Sequence, residues 1–115
     1  MQTIEKAQLL RVIVGESDRL GGVPLYEAIV LRARELGLAG ATVVRASMGY
    51  GASSHLHTTK VLRLSIDLPM VIEIVDRPEK IESLLPFIDE NVRGGLVTIE
   101  DLRVLHYRGT KTDSG

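Results

Sequence analysis

Two stretches of this 115-residue chain repeat apolar side chains at helical spacing, and both end in glycine. Each lies between runs that read as strands, and this alternation limits the folds open to the chain more than any other feature. The first stretch carries Leu25, Ala28, Ile29, Ala33 and Leu36 on one face. Pro24 leads it at what is read as the first helical position, where a missing N–H costs no helical bond. Gly37 closes it by permitting a left-handed residue, after which Leu38 folds back onto the last turn. The second stretch carries Ile81, Leu84, Leu85, Ile88 and Val92 and stops at Gly94-Gly95. Asp76, with Glu79 three residues on, makes a carboxylate version of the capping box at its start. Pro86 lies inside this pattern and is expected to kink or split the helix.

Around the helices, Gln8-Leu9-Leu10-Arg11-Val12-Ile13-Val14 is β-branched and apolar with one polar member, Arg11. A polar connection, Gly15 to Gly22, follows it. Ala41 to Met48 reads as a second strand, with Val44, Ala46 and Met48 on one face and Val43, Arg45 and Ser47 on the other. A loop rich in Gly, Ser and His runs from Gly49 to about Thr59, and Val61 to Ile66 alternates as the start of a third strand. Asp67-Leu68-Pro69 interrupts it, because proline cannot donate to a ladder. Met70 to Val75 resumes with Glu73 as its only polar residue. Leu96 to Ile99 and Leu102 to Tyr107 form the last strand, with a bulge or bend expected at Glu100-Asp101.

The order is therefore strand, helix, strand, strand, helix, strand. Two such halves paired side by side give an antiparallel four-stranded sheet with both helices on one face, the α+β ferredoxin-like arrangement. The strands are apolar on both parities (Leu9 with Val12, Val43 with Val44, Val71 with Ile72), so the face away from the helices is expected to be buried between copies of the chain. Residues 1–107 form one domain in this reading. Residues 108–115 carry no apolar side chain and read as a frayed tail.

Composition narrows the functions. Fourteen basic residues against fifteen acidic ones give a net charge of −1, with no footprint for a nucleic acid polymer. The aromatics are Tyr26, Tyr50, Phe87 and Tyr107, too few for base-stacking platforms. With no cysteine there is no disulfide, thiolate metal site or cysteine nucleophile. No segment approaches the roughly 18 apolar residues of a membrane span. The N-terminus has no signal-peptide pattern, so a cytoplasmic location is the expectation.

Ser53 and Ser54 lie near histidines, yet neither a nucleophile elbow nor a phosphate-loop sequence occurs, which argues against hydrolytic catalysis. Glu16, Asp18, Asp76, Glu100 and Asp101 sit at element ends, where carboxylates cap and turn the chain. His55 and His57 read as polar loop residues. Their alternative use is as half of a metal site completed by Glu, Asp or His106. Gly49-Tyr50-Gly51 is the more telling step. Glycines at the point where the chain leaves a strand for a polar loop let backbone N–H groups approach an anion. Gly94-Gly95 is a second such step, and Arg93, Lys60 and His106 are cations able to join a phosphate.

Several ordered motifs resemble one family. They are Pro24-Leu25-Tyr26-Glu27-Ala28, Gly37-Leu38-Ala39-Gly40-Ala41-Thr42, Met48-Gly49-Tyr50-Gly51, His57-Thr58, the run from Asp67 to Asp76, and Gly94-Gly95-Leu96-Val97-Thr98. Together they resemble the family known as domain of unknown function 190, from about Lys6 to Tyr107. That family is similar to the PII (GlnB-like) signalling proteins and, more distantly, to CutA. The resemblance implies a ferredoxin-like subunit, a homotrimer, and nucleotide sites in the clefts between subunits.

In PII proteins a Gly-Phe-Gly sequence forms the base of the regulatory loop, which Gly49-Tyr50-Gly51 matches. Residues 52–59 are then the loop counterpart, and Gly94-Gly95 the glycine step against the phosphates. Glu100-Asp101 matches an acidic pair before the final strand. Met70 follows Leu68-Pro69 where PII proteins place a lysine nearby, and Val104 and His106 align with two arginines. Fewer cations favour AMP or ADP over ATP. The implied nucleotide set is Gly49, Tyr50, Gly51, Ala52, Ser53, Arg93, Gly94, Gly95 and His106. No cofactor and no catalytic residue is implied. Similar proteins also resemble partners of fluoride-export channels, which suggests a membrane transporter or channel as the regulated partner. A CutA-like structural or metal-binding trimer using His55 and His57 is the alternative.

Overall fold

The computed structural model describes residues 2–49, 57–58 and 67–107. In chain order the elements are β1 (Gln2–Gly15), β2 (Arg19–Leu20), β3 (Val23–Pro24), α1 (Leu25–Glu35), β4 (Thr42–Arg45), β5 (Met48–Gly49), β6 (His57–Thr58), β7 (Pro69–Asp76), α2 (Pro78–Asn91) and β8 (Leu96–Tyr107). The principal sheet has the order β4-β7-β1-β8, and every pairing in it is antiparallel. Helix α1 joins β1 to β4, which are separated by β7. Helix α2 joins β7 to β8, which are separated by β1. These two interleaved crossovers define the ferredoxin-like fold expected from the sequence.

Alternate residues of the two central strands, Leu10, Val12 and Val14 with Met70, Ile72 and Ile74, face the helices. They pack against Leu25, Ile29 and Ala33 of α1 and Ile81, Leu84 and Ile88 of α2. Each such aliphatic side chain contributes about 1.5–3 kcal/mol when fully buried, so a core without large aromatics suffices. The close of α1 is a Schellman motif. Leu38 N donates to Ala33 O and Gly37 N to Arg34 O, with Gly37 at φ 80°.

Five local expectations are corrected. Pro24 is the N-cap of α1 rather than its first helical residue, because it pairs with Arg19 in an extended backbone (ψ 140°). The Leu25 N–H is instead satisfied by the Asp18 carbonyl at 2.7 Å. Asp76 stays in β7, and Arg77 is the N-cap of α2, with Pro78 in its first turn. Helix α2 is not split, since Pro86 sits on its exposed side within one continuous element. The second strand is shorter than expected. It ends at Arg45, Ala46 N turns to Pro69 O, and Met48–Gly49 then pairs with His57–Thr58 inside the segment read as loop. The β1–β8 ladder is regular through Leu9↔Glu100 and Gln8↔Asp101, and its irregularities lie between Gln2, Ile4 and Ala7. The strand read at Val61–Ile66 falls outside the described residues.

Strand β1 also begins at Gln2, earlier than its apolar run. Its first residues pair only with the end of β8, as a two-stranded ribbon beyond the four-stranded body. Across the sheet, register places Val44, Val71, Val75, Leu9, Ile13 and Leu96 on the face away from the helices. Val44 and Leu96 are 54% and 55% exposed there. At the centre of that face, Arg11 bridges strands, with Nη2 2.8 Å from Glu73 Oε2 and Nη1 3.2 Å from Glu100 Oε1. The hydrogen bond that Arg11 donates to Glu73 is the main reason its guanidinium is held above its ordinary pKa, with the charges of Glu73 and Glu100 adding to it and desolvation opposing.

Candidate functional site

Gly49, the described member of the first glycine step, and Gly94-Gly95 lie at the same end of the sheet, where β1 finishes and β7 and β8 begin. Gly95 has φ 125°, and a Cβ there would run into the Ile13 carbonyl oxygen. Only glycine lets the chain enter β8 so close to β1. Gly94 faces open space, and Arg93 beside it is exposed. On the other side of β1, a Cβ on Gly49 would lie 2.8 Å from Cγ of Pro69, the first residue of β7. Two strand spacings, roughly 10 Å, separate β7, against which Gly49 packs, from β8, which Gly95 enters.

Between them runs the end of β1 and its turn. Gly15 pairs with Pro69, and Ile13 pairs with Leu96. Asp18 Oδ2 accepts from Gly15 N at 2.9 Å, and Asp67 Oδ1 accepts from Ser17 N at 2.8 Å. Glu16 N donates to Leu68 O, and the Glu16 carboxylate holds Arg45 Nε at 2.8 Å. The turn role read for Asp18 is therefore what its side chain performs, whereas the Glu16 carboxylate makes an ion pair with Arg45 instead of capping or turning the chain. Asp67 was legible only as part of an interruption. Its bond to a turn fifty residues earlier has no local signature in the sequence.

Of the implied nucleotide set, Gly49, Arg93, Gly94 and Gly95 lie at this end. His106 does not. It is ten residues along β8 from Leu96, about 33 Å at strand rise, so within one chain it stands at the opposite end. Tyr50, Gly51, Ala52 and Ser53 lie outside the described residues, as do His55 and Lys60, and for His57 only the backbone, in β6, is described. Among the described residues no group of three or more His, Cys, Asp or Glu is placed to hold a metal ion. No helix among them is long and apolar enough to cross a membrane.

The fold is that of PII-like proteins. Similar solved structures include a nitrogen regulatory PII-like protein, CPII, from Thiomonas intermedia K12, bound to ADP, AMP and bicarbonate. Its TM-score is 0.64 at 19% identity, covering 90% of this chain and 92% of that one. A PII-like signalling protein from Thermus thermophilus matches at TM-score 0.63 and 16% identity, over 91% and 94%. The GlnK–ATP complex of B. subtilis matches at 0.54 and 10%, over 84% and 82%. The chain itself belongs to the DUF190 family, described as "Uncharacterized ACR", whose model matches residues 7–104. A UPF0166 protein of Aquifex aeolicus (strain VF5) is 40% identical over 106 residues, 90% of this chain and 97% of that protein. Another, of Methanocaldococcus jannaschii, is 35% identical over 105 residues, 90% and 94%.

Proposed function

We propose that this protein is a non-catalytic, cytoplasmic PII-like sensor. A homotrimer holds an adenine nucleotide, AMP or ADP in preference to ATP, in the clefts between its copies. It reports occupancy through residues 52–59 to a partner such as a membrane transporter or channel. The observation that carries this reading is the convergence of Gly49 and Gly94-Gly95 on one end of the sheet, where close backbone approach requires glycine at Gly95. Successive amides there suit the oxygens of a phosphate chain. The ligands of the CPII structure, ADP and AMP, support the nucleotide class.

Two features support the proposed assembly. The face away from the helices presents Val44, Leu96 and Val75 to solvent in a single chain, which is the surface a second copy would cover. The two glycine steps stand near opposite edges of the sheet, with β4 at one edge and β8 at the other. Neighbouring copies side by side bring one chain's Gly49 region toward the next chain's Arg93-Gly94-Gly95, and His106 joins the site only if the end of β8 from another copy reaches across to it. With Met70, Val104 and His106 where more cations would favour a triphosphate, the site is suited to fewer phosphates. Binding would stabilise one loop arrangement and so change the affinity for the partner, which is linkage without chemistry.

Calorimetry against AMP, ADP and ATP tests the proposal. Saturable binding of AMP or ADP, weaker for ATP, with the nucleotide recovered unchanged, is the expected result. Absence of binding by all three at millimolar concentration overturns it.

A further inference from the structure

Resting on the nucleotide-sensor reading, we infer that Asp67 is a positioning residue for the site, acting through the Gly15–Ser17 turn without touching the ligand. Its carboxylate occupies the space that a Gly15 side chain would fill. A Cβ built on Gly15 would lie 2.7 and 2.8 Å from the two Asp67 oxygens and 3.1 Å from Cγ. From that position Oδ1 accepts the Ser17 N–H at 2.8 Å. The missing side chain at Gly15 and the carboxylate at Asp67 thus form one unit, joined across fifty residues.

What this unit holds gives it a role. Gly15 pairs with Pro69, the residue against which Gly49 packs, and two residues earlier Ile13 supplies the carbonyl under Gly95. The end of β1 thus lies directly under Gly95 and, one strand removed through Pro69, beside Gly49. A second contact secures the other leg of the loop base to the same turn, since Glu16 binds Arg45 of β4 at 2.8 Å while its N–H donates to Leu68 O. The turn then continues to Asp18, whose carbonyl receives Leu25 N at the start of α1. Releasing Asp67 loosens the spacing between Gly49 and Gly95 while the side chains of Leu25 and Leu68, the members of this turn that belong to the buried core, stay in place. An anion bridged by two backbone cradles is sensitive to that spacing.

The test uses the full chain with ADP as probe and three readouts: affinity by calorimetry, thermal midpoint, and hydrogen exchange at the Ser17 amide. Asp67→Ala is expected to weaken ADP about tenfold or more, the scale of one lost charge-assisted hydrogen bond, and to speed Ser17 exchange with little change in midpoint. Asp67→Asn retains an oxygen for the Ser17 N–H and is expected to bind ADP within about threefold of the parent. Gly15→Ala needs no unusual backbone angle, so its methyl displaces the Asp67 carboxylate and reproduces Asp67→Ala. The double variant is then no weaker than either single one, because both remove the same contact. Unchanged ADP affinity in Asp67→Ala, or additive losses in the double variant, overturns the inference. A parent protein that binds no nucleotide overturns the sensor reading and this ligand role together, whereas binding by the parent with an indifferent Asp67→Ala overturns the positioning role alone.

Discussion

The Asp76 carboxylate accepts the backbone N–H of Ala39 at 2.9 Å with Oδ2 and that of Arg77 at 2.7 Å with Oδ1. One buried acidic side chain, 6% exposed, therefore ties the exit of α1 to the entry of α2. Asp76→Ala removes the acceptor that joins these two backbone segments and is expected to lower unfolding stability by about 1–3 kcal/mol. Asp76→Asn keeps one oxygen acceptor and falls between the two. Urea denaturation with an unchanged m-value measures both.

Glycine-to-alanine substitutions are expected to rank by geometry. Gly95→Ala combines a φ of 125° with collision against the Ile13 carbonyl, so it is the most damaging of the series. Gly37→Ala, at φ 80°, and Gly21→Ala, at φ 61° in open space, cost about 1–2 kcal/mol each, the left-handed penalty alone. Gly94→Ala, with open space and no left-handed angle, is close to neutral for folding. Chemical denaturation of the four variants gives the order directly.

Pro86→Ala is expected to stabilise the protein. The proline ring is exposed and denies one hydrogen bond to a helix that continues past it. An interior proline costs a helix about 3 kcal/mol, and alanine restores some freedom to the unfolded chain, so a net gain of roughly 1–2 kcal/mol is anticipated. A fall in the denaturation midpoint would contradict this.

Leu96→Glu places a charge on the face away from the helices without entering the core around Leu10 and Ile72. It is expected to convert the proposed trimer to single chains in sedimentation velocity while the circular dichroism spectrum is retained. If the variant sediments as the parent does, that face is not where copies meet.

On the same face, Glu73→Gln is expected to destabilise more than Glu100→Gln. Glu73 takes both Nε and Nη2 of Arg11, at 2.9 and 2.8 Å, whereas Glu100 makes a single contact at 3.2 Å. The Arg11 pKa is raised in the fold, so its contribution is complete below the ordinary guanidinium range and is lost only as pH climbs past it. Between pH 6 and 10 (about the working range of most assays), Arg11 thus adds no slope to stability. Paired thermal melts of the two glutamine variants test the ranking.

The architecture was legible because the helical stripes and the glycine stop of α1 are local signals, although α2 ends at Asn91 with Val92 already extended, ahead of Gly94-Gly95. Leu25 to Leu36 with Gly37, and Ile81 to Val92, carry their own period, and the closing motif at Leu38 follows from a single glycine. What escaped the sequence was non-local. Pro24 and Asp76 have residue types that suit a helix start, yet each is held extended by a partner strand, Pro24 by Arg19 and Asp76 by Gln8. Thr3 to Lys6 carry little apolar signal, and their strand exists because β8 runs alongside. At the site, Gly49 and Gly95 were recognisable as glycines leaving or entering strands. Their common end of the sheet, the distance to His106, and the grip of Asp67 on Ser17 depend on strand order and register.

The ribbon that β1 and β8 form beyond the sheet sets Gln2 opposite Tyr107. The first and last described residues thus meet at one pole of a molecule 45 Å long, with Gly49 and Gly95 at the other. A reporter or tether fused at either extremity enters at that shared pole. Such a fusion leaves the glycine end clear, and a pair of fluorophores placed there reports on the ribbon while remaining remote from Gly49 and Gly95.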